Sequence, residues 1–316
     1  MNASVPLDEA IPWTRELPRN IFVSDSIETD GSFLLHTFAS QVLRTPGGDH
    51  SLYWLTGKPV TDKQIATAMK KIGCDAAAVY LRNATSTDSP KGPLQIISLI
   101  TEMTTKLLEA GDSSFDPEVF LKDVYKQIKT WVTSKASETT SCCWLVMDDV
   151  SSLASILKDE VLVFQFIDSL FALVTRSKNI GLVVRCSTEQ DQTLLKQAHV
   201  DEAQDRTGWL GAGGFAQKQE SKQLLRTLVP WERTIDSMDI VVDVVPLSSG
   251  YSREAHGRLV FTENPGGRGW AQTSKKHSSS ATSAPKSSPW NKFVINYCLQ
   301  EGGVRAIRLR ETTSKG

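Results

Sequence analysis

Two adjacent aspartates, Asp148 and Asp149, end the apolar run of Cys142–Val150, CCWLVMDDV. Carboxylates in that position could hold Mg²⁺ against the phosphates of a nucleotide, as the aspartate at the end of an apolar strand does in P-loop hydrolases. A short apolar run suits a central strand of a parallel sheet, buried on both faces. The carboxyl ends of such strands are where open α/β sheets receive ligands. The same residues have a plainer use, because an Asp side chain can accept hydrogen bonds from the backbone of the turn that follows. Magnesium chemistry requires a second half upstream: a strand, a Gly-rich loop ending in Lys-Ser/Thr, and a helix.

One stretch has that order, Asn20–Phe33, NIFVSDSIETDGSF, followed by the helical pattern LLHTFASQVL. With Gly31 as the last glycine of the motif, Ser26 takes the place of the first glycine and Ser32 that of the lysine. Phe33 falls where Mg²⁺ needs a hydroxyl. Glu28 and Asp30 lie inside a loop that works by turning N–H groups and a Lys toward negative charge. Two carboxylates there repel phosphate, although they also suit an ordinary solvated turn. The outline of a nucleotide site is present and its chemistry is absent. Capping is therefore the favoured role for Asp148 and Asp149, and no cofactor or metal is expected.

The elements that must position these residues follow from the rest of the chain. At 316 residues it can bury one substantial core with appended segments. A formal net charge of −1 argues against a protein that coats nucleic acid through global basicity. Five scattered cysteines, Cys74, Cys142, Cys143, Cys186 and Cys298, include no CxxC pair and suggest neither zinc nor a disulfide framework. The start, MNASVPLDEAIPWTREL, is acidic and broken by proline, unlike a secretory or transit peptide. No apolar run approaches the roughly 20 residues that span a bilayer. These features point to a reduced, soluble, intracellular protein without a membrane partner.

Residues 1–19 contain three prolines and read as an irregular arm. Strands are expected at Ile21–Val23, Leu52–Leu55, Val79–Leu81 and Ile180–Cys186, besides the aspartate strand. Helices are expected at Phe33–Leu43, at Asp62–Ile72 capped by Thr61, at Leu94–Ala110, and at Glu118–Val132 opened by Asp116-Pro117. Ser134–Ser141 reads as a polar loop, Ser151–Leu157 as a short helix and Val161–Thr175 as a strongly apolar one. Residues 188–222 read as a loop or insertion, in which Gly211, Gly213 and Gly214 imitate a dinucleotide turn without a strand before them; Gln223–Val229 is a short helix or turn. From Ile240 helical intervals disappear. Ile240–Val245, Arg258–Thr262, Lys292–Leu299 and Val304–Leu309 are then antiparallel neighbours, the last two joined at Gln300–Gly303. Residues 264–289 are a low-complexity insert between strands. The fold class is α/β: a mostly parallel sheet flanked by helices, with a C-terminal antiparallel extension. A single domain covers 20–310, and 311–316 form a tail.

The order of these pieces resembles the RecA-like ATPase fold, and several segments are similar to one family within it, Elongator complex subunit six. These are Thr29–Leu34 after the first strand, Leu145–Val150 with its paired aspartates, the helix containing Phe166-Ile167, the segment Val245–Val260 (VPLSSGYSREAHGRLV) and the hairpin Lys292–Arg310. The resemblance covers most of 20–310, thinly at 83–140 and 188–222. It implies a non-catalytic subunit of a hexameric ring that contains two copies each of subunits four, five and six. That ring joins the Elongator catalytic subcomplex, which modifies the wobble uridine of tRNA, and it binds tRNA and helps to regulate its release. The implied location is the cytoplasm, with the nucleus as a second compartment. The competing class is an unorthodox ATP-binding or ATP-hydrolysing protein that uses Asp148 or Asp149 with another lysine.

Candidate RNA contacts are Arg268, Lys275 and Lys276 in the insert, and Arg305 and Arg308 on the last strand. From Asn264 to Gln300 the chain has no acidic residue, and Trp270 and Trp290 could stack on bases. His256 could act as a general base, but with no nucleophile near it in sequence a backbone hydrogen bond is the expected role.

Overall fold

The computed structural model describes residues 4–11, 20–26, 28–44, 50–71, 94–110, 115–136, 143–177, 179–187, 235, 237–247, 255–263, 291–300 and 303–307. The expected strand at Val79–Leu81, the loop at 188–222, the helix at Gln223–Val229 and the insert at 264–289 lie outside them.

Ten strands form one mixed sheet: β1 (Ser4–Pro6), β2 (Asn20–Asp25), β3 (Ser51–Thr56), β4 (Leu94–Ser98), β5 (Cys143–Asp148), β6 (Ile180–Ser187), β7 (Ile240–Val245), β8 (Gly257–Glu263), β9 (Asn291–Gln300) and β10 (Gly303–Ile307). Their spatial order is β1-β10-β9-β8-β7-β2-β6-β5-β3-β4. From β7 to β4 all pairings are parallel, and from β7 to β1 all are antiparallel. This is the expected α/β architecture, a mostly parallel sheet with a C-terminal antiparallel extension.

Seven helices are described: α1 (Leu7–Ala10), α2 (Ser32–Arg44), α3 (Asp62–Lys71), α4 (Leu99–Ala110), α5 (Pro117–Ala136), α6 (Val150–Leu157) and α7 (Glu160–Thr175). Residues of α1–α3 pack into one apolar cluster and residues of α4–α7 into a second. β5 shows how the sheet divides them. Trp144 and Val146 belong to the first cluster, and Cys143, Leu145 and Met147 to the second. The two-residue period of a strand explains the division, and burial on both faces explains the unbroken apolar run. None of these helices is long and apolar enough to cross a membrane.

Local signals set several boundaries. Thr61 and Gln64 form a reciprocal cap, with Thr61 N–H donating to Gln64 Oε1 at 2.7 Å and Gln64 N–H to Thr61 Oγ1 at 3.3 Å. Asp116 accepts from the N–H groups of Glu118 and Val119 at the start of α5.

Other expectations need correction. The helix expected over Leu94–Ala110 begins only at Leu99, because Leu94–Ser98 pairs with β3. Its β-branched Ile96-Ile97 suits a pleated surface, and no turn residue separates it from the helix. The arm is not irregular throughout. Ser4–Pro6 pairs with β10, Leu7 and Ile11 are buried, and Gln41 of α2 donates to the Ile11 carbonyl. β7 is not purely antiparallel, since it pairs in parallel with β2. The loop expected from Ser134 begins later, because α5 continues to Ala136.

Candidate functional site, a closed carboxylate and arginine cluster

β6 lies between β2 and β5. Strand alternation places Val23 with Asp25, Val183 with Arg185, and Val146 with Asp148 on one face, the face of the first apolar cluster. The register therefore brings Arg185 between two carboxylates at the carboxyl edge of the sheet. Arg185 Nη1 donates to Asp25 Oδ2 at 2.5 Å and to Asp30 Oδ1 at 3.1 Å. Its Nε donates to Asp148 Oδ1 at 2.7 Å, and Nη2 lies 3.6 Å from Asp149 Oδ2. The Arg185 side chain is only 5% exposed. A guanidinium this deeply buried is sustained by partners on several sides.

The loop after β2 is filled by its own side chains. Ser26 and Thr29 exchange backbone hydrogen bonds across a tight turn that exposes Glu28. Gly31 N–H donates to Asp25 Oδ2 at 2.7 Å, and Ser32 N–H to Asp30 Oδ1 at 2.9 Å. These donors stand where a phosphate loop would present N–H groups to its ligand, and here carboxylates of the chain already hold them. A Cβ at Gly31 would stand 3.1 Å from Asp25 Cβ, so carboxylate and backbone are in close contact. Ser32 Oγ donates to Asp30. Phe33 is buried and packs on Tyr297 with ring centroids 4.7 Å apart.

The two strand-end aspartates have separate roles. Asp149 caps α6, accepting from Ser152 N–H at 3.1 Å and from Ser152 Oγ at 2.6 Å. Its φ of 59° is left-handed, a conformation that Asp tolerates better than most residues. The turn also brings its carbonyl against Gly57, where a Cβ would stand 2.4 Å away. The capping expected of Asp148 is not observed. Its carboxylate is 9% exposed and is held by Arg185, because the face that points toward the cluster is not the one that meets the next turn.

The electrostatics divide the carboxylates. Burial raises the pKa of Asp25 above its ordinary value, outweighing Arg185 and the Gly31 N–H. Burial also pushes Asp30 and Asp149 upward, but the Ser32 and Ser152 donors, together with Arg185 and Lys58, hold both below the ordinary value. Arg185 is shifted upward, since Asp148 and Asp25 outweigh its burial. Lys58 Nζ approaches Asp149 Oδ2 to 3.3 Å from the loop after β3.

These residues do not fit nucleotide–Mg²⁺ in the P-loop manner. Ser32 stands for the lysine, Phe33 for the hydroxyl, and the loop's N–H groups at Gly31 and Ser32 are taken. Among the described residues no group of three or more His, Cys, Asp or Glu is arranged to hold a metal ion.

The other candidates lie apart. Arg305 is exposed on β10, well along the sheet from β6; Arg268, Lys275, Lys276 and Arg308 lie outside the described residues. His256 Nδ1 accepts from Leu299 N–H at 3.0 Å, the backbone role expected of it. A neutral ring bonded that way carries its proton on Nε2, toward Cys298 Sγ at 4.0 Å, so it is unable to take the thiol proton. Arg185 is the residue that sequence reasoning missed. Its signal was a charge inside the apolar run IGLVVRC.

No protein-family model and no curated protein matches the sequence. Solved structures similar to this chain include a KaiC-like protein of the hyperthermophilic archaeon Pyrococcus horikoshii OT3, at 10% identity and a TM-score of 0.41, covering 92% of this chain and 89% of that one. An uncharacterised protein of Pyrococcus horikoshii, solved with an unknown peptide, is 11% identical with a TM-score of 0.46, covering 93% and 94%.

Proposed function

We propose that this chain is a non-catalytic, RecA-like subunit of a heteromeric ring, and that the ring is the Elongator accessory hexamer with two copies each of subunits four, five and six. In this reading it supports tRNA binding and release for wobble-uridine modification by the catalytic subcomplex, in the cytoplasm and nucleus. The observation that carries the non-catalytic part is the occupation of the Gly31 and Ser32 N–H groups by Asp25 and Asp30. A phosphate would have to displace two of the chain's own carboxylates while remaining beside them. The Elongator part is supported by the sequence resemblance at Thr29–Leu34, Leu145–Val150 and Val245–Val260. Arg305, Arg308, Arg268, Lys275 and Lys276 are the proposed tRNA contacts.

Calorimetric titration of the purified chain with ATP–Mg²⁺ is expected to show no saturable binding in the micromolar range. One observation favours the competing reading: Lys58 stands beside Asp149 and could substitute for the missing lysine. Saturable binding that Lys58→Ala abolishes would establish that alternative. For assembly, a tagged chain purified from its source cells is expected to bring two further RecA-like chains in equal amounts, identified by mass spectrometry. Recovery as a monomer would remove the ring from the reading.

A further inference from the structure

Beyond β7 the helices described above pack on one face of the sheet only. Leu259, Phe261, Tyr297, Val304 and Ala306 belong to the first apolar cluster, and no residue of β8, β9 or β10 belongs to the second. Strand alternation puts Arg258, Val260, Val294 and Asn296 on the other face. There Arg258 stands opposite Asn296, and Val260 opposite Val294. We propose that this face docks an acidic segment of a protein partner, with Arg258 as its anchor.

Arg258 carries the inference. Its Nε is buried and has no hydrogen-bond acceptor. Among the described residues its guanidinium forms no ion pair, although Asp243 shares the face, opposite Val260 on β7. Arg185 shows what such a group ordinarily requires, since it donates to Asp25, Asp30 and Asp148. A guanidinium is always charged and only donates, so the missing partner is an acceptor, and a carboxylate matches its planar fork. Residues 264–289, which join β8 to β9, contain no Asp or Glu and have no carboxylate to offer.

The surroundings favour a protein over a nucleic acid. Val294 is 55% exposed and Val260 opposite it is half-buried, so the arginine borders an apolar strip. Arginine is enriched among the residues that anchor protein interfaces, where apolar contacts around it exclude water. Nucleic acid calls for several cations along its backbone and aromatic rings for its bases. Of the four residues Arg258, Val260, Val294 and Asn296, one is a cation and none is aromatic. Arg305 lies further out on β10, opposite Cys298, and is not needed for this site. A free small ligand on an open sheet face would bury too little surface to offset its lost freedom, whereas a partner's carboxylate arrives with further contacts. The site does not depend on which complex the chain enters.

Methyl NMR of the full chain, labelled at valine, tests the proposal through Val260 and Val294. The probe is an acetylated, amidated peptide of alternating glutamate and leucine, with the glutamine-leucine counterpart as control. At millimolar concentration the acidic peptide is expected to shift both methyls saturably, and the control to leave them in place. Arg258→Met keeps the aliphatic stem and should weaken binding about tenfold or more, as for a lost hydrogen bond to a charged group. Because Arg258 has no partner to lose, the same variant should unfold at an unchanged or higher temperature. A fall in Tm of more than about 4 °C would show that the chain already satisfies this arginine, and would overturn the proposal. Equal shifts with the glutamine peptide, or none with the acidic one, would also overturn it. So would shifts caused by inorganic phosphate or a short RNA and lost in Arg258→Met, which would make this a phosphate site.

Discussion

Replacing Arg185 by leucine is expected to cost about 3–5 kcal/mol of folding stability at neutral pH, the range for removing one member of a buried ion pair. The loss comes less from the missing attraction than from what remains. Asp25 and Asp148, both nearly inaccessible to water, would lose the cation that now pairs with each of them. The pH dependence has a definite sign. Asp25 already has a raised pKa in the folded protein, and loss of Arg185 raises it further. A raised carboxylate favours the native state increasingly as pH falls through its folded pKa, so the variant's deficit should narrow on mild acidification. Asp30 and Asp149 act oppositely. Their lowered pKa values supply stability that is full above the unfolded value of 3.8 and lost as pH falls through the folded values. Urea unfolding of both proteins across that pH range is the measurement. Adding Asp25→Asn and Asp148→Asn to Arg185→Leu should recover much of the loss, since it removes the charges together. A deficit below about 1 kcal/mol would show that the cluster is solvated in solution.

The second large effect concerns packing across the sheet. Gly181 on β6 lies beside Trp144 on β5, and a Cβ there would stand 2.3 Å from the indole Cζ3. Trp144 has little room to retreat, because Phe38 of α2 packs edge-on against it with ring centroids 4.7 Å apart. Gly181→Ala should therefore destabilise by roughly 1–3 kcal/mol, the cost of forcing atoms into a packed core. Trp144→Leu alone should also destabilise, by leaving a cavity. The double variant should lose clearly less than the sum of the two, since each change makes room for the other. Simple additivity would mean that the ring and Gly181 are not in competition.

How much of this was legible in the sequence depends on where the information lay. β3 and β5 are buried on both faces, so SLYWLT and CWLVMD appear as apolar runs whatever their neighbours. Thr61 and Gln64, or Asp116 before Pro117, define helix starts within a few residues and were equally readable. Leu94–Ser98 was not, because LQIIS continues into LITEM without a turn residue and its strand character comes from pairing with β3. β7 reads the same beside a parallel or an antiparallel neighbour. Only the arrangement of strands decides between them. The loop after β2 could be judged unfit for phosphate from Ser32, Phe33, Glu28 and Asp30 alone. The cation that holds its carboxylates could not be named, because Arg185 lies 160 positions from Asp25 and meets it only through the β2–β6 pairing. An arginine within an apolar strand nonetheless requires buried partners, and that requirement was visible in IGLVVRC.

The strand Ser4–Pro6 carries a consequence for biosynthesis. Its partner is Arg305–Ile307, about 300 residues later. At about 5–20 residues per second, residue 4 leaves the ribosome roughly 15–60 s before the strand it pairs with exists. Throughout that interval Leu7 and Ile11, 1% and 2% exposed in the finished protein, lack the β10 end of their burial site. The outermost seam of the sheet closes only when both ends of the fold are present. During synthesis the burial of Leu7 and Ile11 is therefore completed only after nearly all of the intervening chain has been made.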